Sequence, residues 1–321
     1  MRVIVTGGTG FIGRVLVPLL LDRGHEVAVP SRNPDRAGRL FAGRVLAQAW
    51  DGSDPGPLAE LLDTAPGPSA LVNLAGENIA AGRWTRQRRA DILVSRLAAG
   101  RACSAAVRLA CCTPEVLVQG SAVGYYGVRP SAQGAVLDES APAGDGFLAE
   151  VCRDWEASSA GVEDAGVRRA VARTGVVLGP GGGALAKMLP PFRFFLGGPP
   201  GGGGQWVSWI GLADQAAALA FLVENPDASG PFNLTAPEPC TMAELCAAVG
   251  AALGRPSWLP VPAVLLRLGL GGMAEETILA NQRAIPSRLL ALGFEFGYPV
   301  LSQAVSLALA GTDAAPPGPQ G

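Results

Sequence analysis

Short apolar runs alternate along most of the chain with stretches that repeat at helical spacing. The runs at residues 3–5, 27–30, 70–74, 116–120 and 169–177 read as buried strands, and residues 15–21 form the first apolar-faced helix. Strands that alternate with helices in this way predict βαβ units and therefore a parallel sheet of the doubly wound α/β kind. From about residue 237 the pattern turns helical, with Thr241-Met242-Ala243-Glu244 as a helix start. Pro256, Pro260 and Pro262 then interrupt it before a last helical segment. The expected organisation is a sheet domain over 1–237, a small and mostly helical substrate lobe over 238–310, and a tail over 311–321. That tail is rich in Pro and Gly and is expected to be disordered.

The first strand runs directly into Thr6-Gly7-Gly8-Thr9-Gly10-Phe11-Ile12-Gly13, and a second strand follows the first helix. Strand, glycine turn, helix and strand are together the context that a dinucleotide-binding fingerprint requires. The first glycine permits the tight turn, the second lets backbone approach a pyrophosphate, and the third lets the helix pack close to the strand. The helix N-terminus then offers free N–H groups and partial positive charge to phosphate. Gly7, Thr9, Gly10, Phe11, Ile12 and Gly13 are the candidate cofactor residues here, in a sheet of Rossmann type. At the end of the second strand, where an NAD site carries an acid for the ribose hydroxyls, the chain has Ser31-Arg32-Asn33. Arg32 suits a ribose phosphate through charge-assisted, forked hydrogen bonds, and Ser31 adds a hydroxyl. The cofactor expected is NADP(H).

The chain's 321 residues are 49% hydrophobic, enough for a large core. With 25 basic and 27 acidic residues, no global charge steers it to nucleic acid or to a membrane surface. The arginines between Arg83 and Arg108 are interleaved with apolar residues and read as a solvated helix face. Six cysteines without a CxxC pair, and a single histidine, make no zinc motif. His25 falls at the amino end of the second strand and reads as structural. No apolar run approaches the roughly 20 residues of a membrane span. The first strand begins at residue 2, so no targeting segment is expected and the expected location is cytoplasmic, with a mitochondrial one as the alternative. A small-molecule substrate is the expected partner and a homodimer the expected assembly, although no motif marks an interface.

Ligands of parallel sheets bind beyond the carboxyl ends of the strands. Small residues follow the third run, at Leu74, Ala75 and Gly76, and would let a cofactor lie against backbone. Ser121-Ala122-Val123-Gly124-Tyr125-Tyr126 follows the fourth and brings one hydroxyl and two phenols to a strand end. Glycine-rich stretches at 181–183 and 197–204 bracket Lys187, forming either a mobile cover or a flexible connector.

These residues together resemble the extended short-chain dehydrogenase/reductase superfamily, and within it an atypical, epimerase-like branch. The resemblance spans about residues 1–308. Its marks include residues 6–13, 31–34, 73–78 and 121–127, Arg83-Trp84, Ser95-Arg96 and Asp154-Trp155-Glu156. Further marks are residues 173–179, 293–296 and Tyr298-Pro299. It implies an NADP(H) site that also uses Leu74 and Ala75 along the cofactor, Asp91 and Arg96 on the following helix, and Val177 near the nicotinamide. Members of this branch tend to carry a histidine after the Trp-Ile pair, where this chain has Gly211.

Classical members use a Tyr and a Lys four residues later, the lysine making the phenol a proton donor near neutrality. This chain has three tyrosines, at 125, 126 and 298, and one lysine, Lys187, so no such pair exists. The helix that would carry it has apolar residues and Cys152 in those places. The candidates for proton transfer are therefore Tyr125, Tyr126, Ser121 and Lys187, with Arg129 four residues after Tyr125. Each also has a structural reading, and Cys152 reads as core because an unpaired buried thiol stays protonated. An NADP(H)-dependent oxidoreductase or epimerase acting on a small carbonyl or sugar-like substrate is one outcome. A non-catalytic NADPH-binding regulator or redox sensor is the other.

Overall fold

The computed structural model of the chain describes residues 1–128 and 134–310. Arg129 and the tail at 311–321 lie outside the described residues. In chain order the strands are β1 (Arg2–Thr6), β2 (Glu26–Ser31), β3 (Leu46–Ala49), β4 (Ser69–Asn73), β5 (Val116–Ala122), β6 (Val136–Leu137) and β7 (Arg168–Thr174). Next come β8 (Val176–Leu178), β9 (Trp206–Val207), β10 (Trp209–Gly211), β11 (Gly230–Leu234), β12 (Cys240–Thr241) and β13 (Arg283–Ala284). The α-helices are α1 (Gly13–Asp22), α2 (Pro34–Leu40), α3 (Gly56–Asp63), α4 (Arg86–Leu109), α5 (Phe147–Ser158) and α6 (Gly183–Arg193). They continue with α7 (Leu212–Glu224), α8 (Met242–Leu253), α9 (Ala263–Leu270), α10 (Ser287–Ala291) and α11 (Leu301–Ala310).

Seven strands form one sheet in the order β3-β2-β1-β4-β5-β7-β11, and every neighbouring pair is parallel. This is the doubly wound α/β fold that the alternation predicts, with its order reversing between β1 and β4. Strand period explains how both faces are covered. Val3 and Val5 of β1, with Ala70 and Val72 of β4, pack on α1 and α7 through Leu16, Leu20 and Leu219. Ile4 and Leu71 point the other way, into a second layer with Leu58 and Leu62 of α3 and Cys103 of α4. A run of apolar residues therefore serves two cores, one from its odd and one from its even positions.

Two strands escape a reading of hydrophobic runs. β3 is largely exposed at the sheet edge, so burial imposes no apolar pattern on it. β11 opens on Gly230-Pro231, which reads as a turn. The single run at 169–177 divides into β7 and β8 at Gly175. A Cβ there would stand 2.5 Å from the Ser208 carbonyl oxygen, a close approach that only glycine permits.

The segment after residue 237 is stitched to earlier chain. β12 pairs antiparallel with β9, β13 pairs with β6, and α11 packs with α8 over Leu178 and Trp209. The predicted start of α8 has a full capping box: Thr241 Oγ1 accepts from the Glu244 N–H while Glu244 accepts from the Thr241 N–H. Among the described residues no helix is long and apolar enough to cross a membrane. His25 Nε2 lies 2.9 Å from the Glu224 carboxylate, joining the amino end of β2 to α7.

Candidate cofactor and active site

The glycine turn sits at the point where strand order reverses. Gly7 has φ +73°, and a Cβ on it would stand 2.7 Å from the Leu74 carbonyl beyond β4. A Cβ on Gly13 would stand 2.4 Å from the Gly8 oxygen, so the start of α1 lies against the turn itself. No side chain caps α1 and its first turn holds no acid. The Arg14 and Val15 N–H groups donate to the Gly10 and Ile12 carbonyls, so an anion would meet the N–H groups just ahead of them. Arg14 Nε donates to the Thr9 carbonyl and ties the turn down. The ring of Phe11 leaves the turn and lies against residues 179–183, where a Cβ on Gly182 would come within 2.6 Å of it and one on Gly183 within 2.9 Å. That glycine-rich stretch is a seat for Phe11, and α6 springs from it.

At the end of β2 the Asn33 N–H donates to Ser31 Oγ, and Asn33 caps α2 by accepting from the Arg36 N–H. Arg32 is left extended, its side chain 81% exposed and 4.0 Å from Glu77 Oε1. Beyond β4, the Ala75 N–H donates to Asn73 Oδ1. Gly76 leaves room for Arg96, which a Cβ would approach to 3.1 Å. Arg96 donates to the Glu77 and Ile92 carbonyls and lies over the Trp155 ring, and burial lowers its pKa from the usual guanidinium value. Asp91 accepts from Gln87 Nε2 and lines a shallow depression with Glu77, Arg88 and Ser95. Val177 lies in β8 beside Ile210, with its carbonyl under Gly183.

The arginines after residue 83 are not simply a solvated face. Arg83 donates to the Leu268 carbonyl, Arg88 pairs with Glu77, and Arg89 lies over the rings of Trp84 and Phe147.

Ser121, Tyr125 and Tyr126 converge on one buried guanidinium, that of Arg173 at the end of β7. Glu156 of α5 grips it with both oxygens, at 2.9 Å and 3.0 Å. Burial works against the Arg173 charge, but hydrogen bonds and charge from Glu156 and Tyr126 outweigh it, and its pKa is raised. Ser121 Oγ donates to Glu156 at 2.7 Å, so this hydroxyl supports the ion pair. Tyr126 is completely buried. Its hydroxyl donates to Asn233 Oδ1 at 2.7 Å and accepts from Arg173 at 3.2 Å, and burial pushes its pKa up. Those contacts give Tyr126 a supporting role and remove it from the proton-donor candidates, because its hydroxyl is already spent inside the core.

Tyr125 is different. Its ring lies under Arg173, with the guanidinium carbon 3.5 Å from the centroid, and edge-on to Tyr126. Among the described residues its hydroxyl has no hydrogen-bond partner, and the residue is half-buried. Lys187 joins a separate contact: from α6 its ammonium donates to the Ala80 carbonyl in the loop after β4. In this structure it clasps that loop and stands apart from the Arg173 cluster. Cys152 is buried beneath Ser121, its thiol pushed up to about 11 by burial and then by the Glu156 charge.

Glu156, Arg173, Asn233, Asn73 and Gln119 are the functional neighbourhood that sequence reading leaves without roles. Thr6 Oγ1 donates to Asn73 Oδ1 and Asn73 Nδ2 to Gln119 Oε1, which ties together the ends of β1, β4 and β5. The available signal is a polar residue closing an otherwise apolar strand, since such a group, once buried, must find a partner.

Fold and site together define a dinucleotide-binding α/β protein of the dehydrogenase and epimerase type. The chain belongs to the NAD dependent epimerase/dehydratase family, whose model matches residues 3–235. A second model, described as a domain of unknown function (DUF1731), matches residues 261–308. The chain is 39% identical to the human epimerase family protein SDR39U1 over 309 residues, covering 95% of this chain and 98% of that one. It is 41% identical to the chloroplastic SDR39U1 homolog of Arabidopsis thaliana over 310 residues, 95% of this chain and 86% of that one. The crystal structure of human SDR39U1 (isoform 2) with NADPH superposes with TM-score 0.85 at 37% identity, over 97% of this chain and all of that one.

Proposed function

We propose that the protein is an NADP(H)-dependent oxidoreductase or epimerase-like enzyme acting on a small carbonyl or sugar-like substrate, with Tyr125 as its proton-transfer group. The observation that carries this reading is the Tyr125 phenol: fixed by Arg173 through its ring, it keeps its hydroxyl uncommitted at a strand's carboxyl end. The cradle around Gly7 and the uncapped start of α1 fit a pyrophosphate, and Arg32 fits a ribose phosphate. NADPH in the related human structure supports the same cofactor.

The dinucleotide, when bound, supplies hydride transfer at its nicotinamide ring. This chain's residues do the rest. Backbone of the glycine turn and residues 74–76 holds the cofactor against the sheet. In the reducing direction Tyr125 donates its hydroxyl proton to the substrate oxygen as the neighbouring carbon gains hydride, and the phenolate is reprotonated from solvent. Glu156, Ser121 and Arg173 keep the ring from turning. NADPH oxidation with a panel of small aldehydes, ketones and nucleotide sugars tests the proposal: turnover lost in Tyr125→Phe but kept in Lys187→Ala supports it.

The missing Tyr-Lys pair, together with a Ser121 hydroxyl turned to Glu156, favours the second reading, a non-catalytic NADPH-binding regulator. No turnover of any carbonyl, with tight NADPH binding that changes capture of a partner protein, would establish it instead.

A further inference from the structure

Arg83, Arg88 and Arg96 each donate to a carbonyl or carboxylate of the protein. Arg89 does not. It is partly buried, yet among the described residues it makes no hydrogen bond and no ion pair, and its Nε lies buried without a partner. Two rings fix it in place. Its guanidinium carbon stands 5.7 Å from the Trp84 ring centre and 5.1 Å from that of Phe147, and the two rings meet edge to face. Its Nη2 lies against bare backbone of the C-terminal segment, where a Cβ on Gly272 would stand 2.9 Å away. Ring contact offsets part of the cost of burying a cation. A guanidinium also has five N–H groups, in a fork shaped for carboxylate or phosphate. Here that fork is held in position and no protein acceptor takes it.

Its place in the fold points to a substrate. Phe147 opens α5, and its neighbour Leu148 faces Gly124, where a Cβ would stand 3.4 Å from the Leu148 Cβ. Gly124 directly precedes Tyr125. Arg89 thus sits at the same end of α5 as the Tyr125 turn, with Gly272 on its other side. Glu276 accepts from the Leu148 N–H at 2.6 Å, so its charge is met by the start of α5 and not by Arg89. We propose that Arg89 anchors an anionic group of the substrate, a carboxylate or a phosphate, gripped by the guanidinium edge while the carbonyl end reaches Tyr125. The substrate class is thereby narrowed to carbonyl compounds that carry such an anion. An arginine already immobilised by two rings loses little freedom when the anion arrives. The assignment rests on the reading of Tyr125 as proton donor, but anion binding itself does not need the phenol.

Isothermal titration of the full chain, saturated with NADPH to keep phosphate off Arg32, reads the site without any reaction. The probes are inorganic phosphate and malonate, each to about 10 mM. Wild type and Tyr125→Phe are expected to bind at least one of them, phosphate alone pointing to a phosphate ester and malonate alone to a carboxylate. Arg89→Gln should lose that binding. Arg89→Lys, which keeps the charge without the fork, should retain part of it, and Arg86→Gln, at an exposed arginine of the same helix, should retain all. Circular dichroism checks folding, and Arg89→Lys carries the test should Arg89→Gln unfold. Steady-state kinetics with glyceraldehyde against glyceraldehyde 3-phosphate, and butanal against succinic semialdehyde, gives the second readout. Arg89→Gln should raise KM about 10- to 100-fold for the charged member of a pair and leave the neutral one unchanged, whereas Tyr125→Phe lowers kcat for both. A wild type that binds neither anion overturns the inference, as does binding that survives in folded Arg89→Gln. No turnover of any carbonyl, with anion binding at Arg89 intact, would instead overturn the reading of Tyr125 and leave the anion site standing.

Discussion

The Arg173 guanidinium carbon stands 3.5 Å from the centre of the Tyr125 ring, and Glu156 fixes it there with two hydrogen bonds. A phenol is usually oriented through its hydroxyl. Here the orientation comes through the ring face, so the hydroxyl stays free for a substrate while the ring is still held.

The two adjacent tyrosines should therefore separate by experiment. Tyr125→Phe is expected to lower turnover by about 100-fold or more, the usual contribution of a positioned acid, with unchanged stability and NADPH affinity. Tyr126→Phe leaves the buried Asn233 Oδ1 without its donor, while Arg173 keeps Glu156, and should cost about 1–3 kcal/mol in urea unfolding. Steady-state kinetics and denaturation on both variants check this, and equal effects in both assays would contradict it.

Glu156→Ala should be among the most damaging single substitutions in the chain. The side chains of Arg173 and Glu156 are only 5% and 15% exposed, so removing the carboxylate strands a buried cation, at a cost of about 3–5 kcal/mol. Glu156→Gln keeps an acceptor and should lose less. The urea midpoints of the two variants give the comparison.

Arg32→Ala is expected to weaken NADPH by on the order of tenfold and to leave NADH nearly unchanged, because only NADPH offers a ribose phosphate. The exposed position of Arg32 also means that the NADPH preference should shrink as salt rises. Isothermal titration with both cofactors at two ionic strengths measures this.

The buried thiols set a pH limit. Cys103 and Cys240 are pushed up to about 12, and Cys152 and Cys246 to about 11, in each case chiefly by burial. In the unfolded chain these groups ionise near 9. Their stabilising contribution is therefore complete below pH 9 and is lost between pH 9 and about 12, as the unfolded state sheds protons that the folded state keeps. Stability should fall steeply above pH 9, and Cys103→Ala should lessen that slope. In native labelling only Cys111 and Cys112, both exposed, should react.

The elements legible in the sequence were those whose signal is local. The glycine turn between two apolar runs, the alternation that builds the parallel sheet, and Thr241 with Glu244 are each written within a dozen residues. The Arg173 cluster is not. Glu156 and Arg173 lie 17 positions apart on a helix and a strand, and nothing in either segment announces the other. Asn233 is 107 positions from the phenol it accepts from. The same holds for Lys187, whose contact with Ala80 depends on how α6 lies over the loop after β4. Charge and phenol patterns pointed to the end of β5, but only the packing distinguishes the buried, hydrogen-bonded Tyr126 from Tyr125.

A crystal structure of the protein with NADP⁺ tests the central claim most directly, through the distance from Tyr125 Oη to nicotinamide C4. The expected result is an open gap of about 4–5 Å, so that a carbonyl oxygen between them lies within hydrogen-bond reach of the phenol, with Arg32 on the ribose phosphate. A Tyr125 hydroxyl about 8 Å or more from C4, or a nicotinamide face sealed by apolar side chains, would contradict it.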